Sequence, residues 1–360
     1  MRFGLEEFKP TKIKNLLTIC NGQDQKKIEN ENGKNPILGT GGIIGYTNSY
    51  LYDKPSVCIG RKGTIDKPIF IDKPFWTVDT LFWSKINSAF NPKFIYYLFQ
   101  TINWKFYNQS TSVPSLTSAV IENIGVNVPN IRTQNKIADF LSKIDEQINT
   151  QIKIIEDLKA LKESISYHYF GDNGILSKIC NKVKLSKILY ERKAYDVKES
   201  CYPHATLSKE GISEKTDRYN RDFLVKDEEK KYKITHLNDI CYNPANLKFG
   251  VICLNTYGDA IFSPIYVTYE VKYNDPYFIS LYLTNPTFIG HVRKYEQGTV
   301  YERMAVSSED FLKATIFLPT MDEQKRIAKI FMKIDDKITL ENLILEKYKE
   351  QKKYLLSNMF

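Results

Sequence analysis

Two stretches of this chain, 190 positions apart, carry one pattern: Pro129…Gln134…Ile137-Ala138…Lys143-Ile144-Asp145…Ile148 and Pro319…Gln324…Ile327-Ala328…Lys333-Ile334-Asp335…Ile338. Each opens a long amphipathic stretch that ends in aromatic or large apolar residues, Tyr169-Phe170 in one and Met359-Phe360 in the other. A chain written twice, with one long helix closing each half, implies pseudo-twofold symmetry. Such symmetry suits a partner that is itself pseudo-twofold, and duplex DNA is the leading candidate.

The first long helix is expected over 131–168, with Ile137, Leu141, Ile144, Ile148, Ile152, Ile155, Leu158, Leu161 and Ile165 stepping by three or four. The second is expected over 321–358, with Ile327, Phe331, Ile334, Ile338, Leu345, Tyr348 and Leu355 on its stripe. At about 1.5 Å per residue, some 35 residues reach roughly 50 Å. So long a stripe exceeds one small core, and the expected solution is that each helix covers the other. Equivalent helices related by a twofold axis run antiparallel; the alternative is that each packs on its own domain.

The segments between the helices mirror one another as α+β units. Residues 1 to about 128 alternate short β-like runs with turn signals such as Gly39-Thr40-Gly41-Gly42 and Tyr52-Asp53-Lys54-Pro55. Asn91-Pro92-Lys93-Phe94-Ile95 reads as a helix start with Asn91 as N-cap and Pro92 at the first helical position, and Asp275-Pro276-Tyr277-Phe278-Ile279 repeats it. The division expected is 1–130, 131–170, 171–320 and 321–360.

A formal charge of +9 favours a polyanionic partner only mildly, because lysine is abundant throughout. The six cysteines form no C-x-x-C pair and no zinc-like spacing with histidine. Neither a signal-peptide core nor a membrane-length apolar run is present, which points to a reduced, cytoplasmic protein.

Catalytic signatures are near-misses. Gly39-Thr40-Gly41-Gly42-Ile43-Ile44-Gly45 fails the dinucleotide spacing and reads better as a β turn. Asn91-Pro92-Lys93-Phe94 is similar to the base-holding loop of amino-methyltransferases, but Lys93 stands where a second proline belongs and no cofactor loop precedes it. Asp227-Glu228-Glu229-Lys230 has no paired metal-binding Asp. No catalytic and no metal-binding residues are assigned.

Binding chemistry is better represented. Gly60-Arg61-Lys62-Gly63-Thr64 sets two cations and a hydroxyl on a tight turn, where Arg61 can read guanine and Lys62 and Thr64 can hold phosphates. Tyr46, Asn48 and Tyr50 add polar contacts nearby in sequence. In the second half the analogous candidates are Tyr242, Asn243, Asn246 and Lys248 in one loop and Tyr301 and Arg303 in another.

Together these features have a familiar order. Gly42-Ile43-Ile44-Gly45-Tyr46…Gly60-Arg61-Lys62-Gly63, then Val78-Asp79-Thr80-Leu81-Phe82, Ser112-Val113-Pro114-Ser115-Leu116-Thr117 and Val128-Pro129…Lys143-Ile144-Asp145 resemble a target-recognition domain of the specificity subunit of type I restriction–modification systems. Asn238-Asp239-Ile240-Cys241-Tyr242-Asn243, Ala260-Ile261-Phe262-Ser263-Pro264-Ile265-Tyr266 and Leu318-Pro319…Gln324 resemble a second. The chain departs from the pattern at Asp66 and in lacking a Gly-Arg-Lys-Gly turn in its second half.

The resemblance implies an α+β fold of two pseudo-twofold-related α/β target-recognition domains separated by an antiparallel pair of long helices. It implies a non-catalytic DNA reader of a bipartite, asymmetric target, with Ser112 added to the candidate DNA contacts. The helix pair, through Ile137, Leu141, Ile144, Ile148, Ile152, Ile155, Leu158, Ile327, Phe331, Ile334, Ile338 and Leu345, would measure the unread gap and dock two methyltransferase subunits, which in turn bring the restriction subunits. A helix pair of ~50 Å corresponds to about 15 base pairs of DNA. The chain itself would carry no cofactor; S-adenosylmethionine, ATP and Mg²⁺ would belong to the partners. Three alternatives remain open: the recognition subunit of a type IIB or phage-exclusion methyltransferase system, a self-contained adenine methyltransferase, and a scaffold that binds no DNA.

Overall fold

The computed structural model describes residues 8–197, 201–215, 231–297 and 304–360. Contacts divide the chain into two compact units, Met1–Lys153 with Asn342–Phe360, and Ile154–Glu341.

In the first unit a four-stranded antiparallel sheet runs in the order Leu17–Cys20, Leu81–Ile86, Ser56–Gly60, Ile69–Ile71. Its central strand, Ser56–Gly60, is buried at every position. Val57 and Ile59 join the cluster that contains the helix Pro92–Thr101, while Cys58 faces the other way into a second cluster with Leu38, Phe75 and Trp83. A smaller sheet packs there, formed by the hairpin Asn35–Gly39/Gly42–Thr47 with Trp76–Thr77 parallel to its first strand.

The second unit repeats this plan with Leu189–Glu191, Val267–Val271, Ile240–Tyr242 and Ile252–Leu254 in the same order. Ile240 and Tyr242 face the helix-side cluster and Cys241 the opposite one. Cys241 therefore takes the place of Cys58, and Tyr242 that of Ile59. Burial pushes the Cys58 thiol up to about 12 and raises that of Cys241 as well, as expected of small core residues rather than reactive thiols. The hairpin Ala205–Ser208/Gly211–Glu214 matches Asn35–Thr47, and His204 meets Ile261 in a parallel bridge just before it.

Both helix starts form as the sequence suggests. Asn91 Oδ1 accepts the Phe94 amide at 3.0 Å, and Asp275 Oδ1 accepts the Phe278 amide at 2.8 Å. The long helices extend over Ile131–Phe170 and Met321–Met359, and each contributes a half to each unit.

The repeated glutamine now has a role. Gln134 Oε1 accepts the Asn91 amide at 3.0 Å while its Nε2 donates to Pro129 O at 2.9 Å. Gln324 does the same for Asp275 and Pro319, both at 3.0 Å. Both side chains are buried, so each clasps the start of a long helix to the start of a short one in a place that water does not reach. Gln134→Ala leaves an amide and a carbonyl without partners. It is expected to lower stability by about 1–3 kcal/mol, read as a shift of the urea midpoint followed by tryptophan fluorescence, since Trp76, Trp83 and Trp104 all lie in the first unit.

The repeated aspartate is the second joint. In the first unit Asp145 accepts the Tyr97 hydroxyl at 2.8 Å and pairs with Lys352 of the opposing helix at 2.6 Å. In the second, Asp335 accepts the Tyr277 hydroxyl at 2.6 Å and pairs with Lys162. The two ion pairs are exchanged by the same 190-residue offset that relates the sequence repeats. The tyrosines are not: Tyr97 lies in the second turn of its helix and Tyr277 in the first turn of its own. Within the second unit Lys162 meets Asp335 and, eight residues on, Phe170 meets Phe331, so the two helix segments run antiparallel.

The packing corrects the expected seam in two ways. Ile137, Leu141 and Ile144 are core residues of the first unit, and Ile327 and Phe331 of the second, so each helix buries its first half on its own unit. Leu355, Leu356, Met359 and Phe360 then pack on the first unit's core, and Ile165, Tyr169 and Phe170 on or in the second's. Ile155 and Leu345 are buried and Ile148, Leu158, Ile334 and Ile338 half-buried, but Ile152 is exposed while Gln151 is buried. At 100° per residue the buried face passes over position 151, not 152.

Candidate nucleic-acid interface

The turn after the first unit's central strand is built around two glycines. A Cβ on Gly60 would lie 2.0 Å from Thr64 O, and Gly63 has a φ of +89°. The amides of Arg61 and Lys62 both donate to Thr80 O, the Gly63 amide donates to Pro114 O, and the Leu116 amide donates to Arg61 O. The turn is thus clamped between Thr80 and the loop that carries Ser112. Lys62 and Ser112 are exposed and Thr64 is half-buried.

Arg61 is less free than its neighbour. Its Nη1 lies 3.4 Å from Asp79 O, and its guanidinium stands 6.0 Å from the Phe82 ring centroid. Both contacts brace the side chain rather than consume all its donors.

Beside this turn stands the end of the hairpin Asn35–Thr47. The position of a Gly63 Cβ is 4.0 Å from Thr40 Oγ1. Tyr46, by contrast, pairs with Pro36 toward the open end of the hairpin. Four residues from Gly42 at about 3.3 Å each put it roughly 13 Å away. Tyr46, Asn48 and Tyr50 are exposed but lie toward the open end of the hairpin; the residue brought beside the turn is Thr40, at the hairpin end that the sequence suggests as a β turn and whose Gly42-Ile43-Ile44-Gly45-Tyr46 carries part of the family resemblance.

The second unit holds the same arrangement with different residues. Asn243 Oδ1 accepts the Ala245 amide at 3.1 Å and starts the short 3₁₀ helix Pro244–Phe249, which ends at Gly250 with a φ of +81°. A Cβ there would be 4.0 Å from Lys209 Cε, at the end of the matching hairpin. In both units, then, the hairpin end meets a left-handed glycine in the loop after the central strand. A groove of about 560 Å³ opens here, lined by Lys209, Gly211, Lys248, Phe249 and Arg293 among others. Its acid, Glu210, accepts the Ser208 hydroxyl at 2.8 Å, which holds its carboxyl below the usual range.

Two candidates of the second unit are therefore corrected. Tyr242 is fully buried between Tyr269 and Phe311, donates its hydroxyl to Val306 O at 3.1 Å, and is a core residue. Burial raises its phenol far above the ordinary value. Asn243 is buried as a helix cap. Lys248 is exposed with its ammonium 5.2 Å from the Phe249 ring, and Asn246 is half-buried. Tyr301 and Arg303 lie outside the described residues. Lys209, Phe249 and Arg293 were missed, since Ser208-Lys209-Glu210-Gly211 reads in sequence as an ordinary charged turn.

The methyltransferase-like loop is fully occupied. Besides capping Phe94, Asn91 donates through Nδ2 to Asn135 at 2.8 Å, and Phe94 is buried against Phe360. Neither is left to hold a base. Among the described residues no His, Cys, Asp and Glu cluster could hold a metal ion, and no helix is long and apolar enough to cross a membrane.

Residues 5–160 and 207–350 match the family model of the type I restriction modification DNA specificity domain, one match over most of each half. The chain belongs to this family. Family membership makes it a specificity chain, not a catalytic one. Among curated proteins, the chain is 24% identical over 142 residues and 23% identical over 171 residues to two candidate type I specificity subunits of Mycoplasma pneumoniae. Those matches take in 36% and 45% of this chain and 42% and 56% of the relatives, so the chain spans about half the length of the curated relatives it matches.

Among solved structures, the S subunit of a type I restriction-modification system from M. genitalium aligns over 100% of this chain and 98% of its own, with a TM-score of 0.63 and 16% identity. A chain from a structure concerned with complex assembly and conformational transition of the type I R-M system aligns over 98% and 97%, with a TM-score of 0.58 and 11% identity. At these identities the likeness is one of fold.

Proposed function

We propose that this chain reads DNA for a type I restriction–modification complex, each unit recognising one half of a bipartite, asymmetric target. The observation that carries this reading is the pair of matched sites, each a hairpin end set against a left-handed glycine with cations beside it, Arg61 and Lys62 in one and Lys209, Lys248 and Arg293 in the other. Matched position with unmatched chemistry suits two unlike half-sites. The long helices set the unread gap and dock two methyltransferase subunits, through which restriction subunits join. S-adenosylmethionine, ATP and Mg²⁺ act on those partners, and the assembly works in the cytoplasm.

Co-expression with the partner subunits followed by methylome sequencing tests the assignment. Arg61→Ala is expected to weaken or relax recognition of one half-site, by about 5- to 150-fold for a lost bidentate base contact. Lys248→Ala should affect only the other half-site, and complex assembly should be intact in both. Unchanged methylation rate and sequence in both variants would remove the two loops as readers.

A further inference from the structure

The end of the first unit's hairpin takes no part in the core. A strand alternates its side chains between two faces, so one of two neighbours normally points inward. Here Ile43 and Ile44 are consecutive, yet 53% and 52% exposed. The register shifts between Ile37 and Leu38, so Ile43 lies opposite Leu38 and Gly42 opposite Gly39. Gly39 leaves room for Ile44, whose Cγ2 would be 3.1 Å from a Cβ there. Gly41 and Gly42 have nothing within 4 Å of the space a Cβ would fill, and Gly42 has a φ of +116°. The result is a ribbon end of bare backbone followed by two branched apolar side chains.

Its surroundings indicate what it meets. Thr40 Oγ1 lies 4.0 Å from the place a Cβ on Gly63 would take, so the hairpin end stands near the turn that carries Arg61 and Lys62, cations suited to phosphate and base edges. The second unit's counterpart is charged, with Lys209 and Glu210 at its end and Ile212 packed against the core. A major groove about 12 Å wide admits a two-stranded ribbon. Among the features of the four base pairs in that groove, the C5 methyl of thymine is the apolar one.

We propose that Ile43 and Ile44 read thymine methyl groups in the major groove of the half-site bound by the first unit. The proposal rests on the DNA-reading function and adds the base chemistry of one half-site. An apolar wedge between base steps would use the same side chains, but it would be indifferent to the methyl group.

The experiment uses the assembled complex and its own target as defined by methylation. Each thymine of the half-site affected by Arg61→Ala is replaced by deoxyuridine, which keeps every hydrogen-bonding group and removes the methyl. Binding by the native chain should weaken about fourfold for each contacted methyl. The Ile43→Ser/Ile44→Ser variant should bind thymine and uracil targets equally while staying folded, with at most a small fall in melting temperature because each side chain is about half exposed. Equal binding of both targets by the native chain, an undiminished uracil penalty in the variant, or a half-site without an A·T pair would overturn the proposal. Loss of the DNA-reading assignment is a separate result, an assembled complex with no sequence preference at either half-site, and it takes this proposal with it.

Discussion

Phe170→Ala is expected to lower the stability of the second unit by about 3–5 kcal/mol, the usual range for deleting a buried phenylalanine ring. Phe170 ends the first long helix and is only 3% exposed. Its ring centroid lies 5.1 Å from Tyr282, 5.8 Å from Phe278 and 6.0 Å from Phe331. Removing it takes the plug from between a short helix and the start of the second long helix, all within one unit. The symmetric plug is Phe360, whose ring lies 5.2 Å from Phe94. The three tryptophans report on the first unit alone. In the variant, circular dichroism should therefore show an early transition in urea that tryptophan fluorescence does not follow. Coincident transitions with an unchanged midpoint would mean that the ring fills no essential place.

The helix ends, the caps and most of each apolar stripe were legible because each is local; Ile152 and Leu161, expected on the first stripe, are exposed. Asn91-Pro92 and Asp275-Pro276 carry their own instruction to start a helix, and a 3.6-residue period needs no knowledge of the partner. The duplication was legible because Gln134/Gln324 and Asp145/Asp335 each serve two elements at once, which leaves little freedom to either residue. What each pair does was not, since the residues clasped lie 43 to 58 positions away and Tyr97 and Tyr277 occupy different turns of their helices.

The reading loops were legible in the first unit and misplaced in the second for a related reason. Gly60-Arg61-Lys62-Gly63 announces its turn through glycine spacing, whereas the second unit reaches its left-handed glycine only after the short helix Pro244–Phe249. Tyr242-Asn243 resembles a polar aromatic loop until the sheet register puts Tyr242 where Ile59 stands. Exposure of an apolar side chain is a tertiary property that Ile43 does not advertise in sequence, and Lys209 advertises its exposure but not its place beside Gly250.

If the long helices measure the unread gap, four residues inserted after Lys153 and four after Glu341 should lengthen the spacer of the preferred target by one to two base pairs without changing either half-site. The junctions 153/154 and 341/342 are where the chain passes from one unit to the other, so matched insertions keep Asp145 with Lys352 and Lys162 with Asp335. Four residues add about 6 Å and turn the helix forward by about 40° beyond a full turn. Two base pairs add about 7 Å and turn the duplex forward by about 70°. Rise and rotation thus change in the same sense on both sides. Seven residues add about 10 Å but fall roughly 20° short of two turns, while three base pairs advance by more than 100°. A matched heptad is therefore expected to give the weaker complex, by at least tenfold at its best spacer, despite keeping the apolar stripe. Methylation of a library of targets with gaps varied one base pair at a time reads both results. An unchanged preferred gap in the four-residue variant would show that something other than these helices sets it.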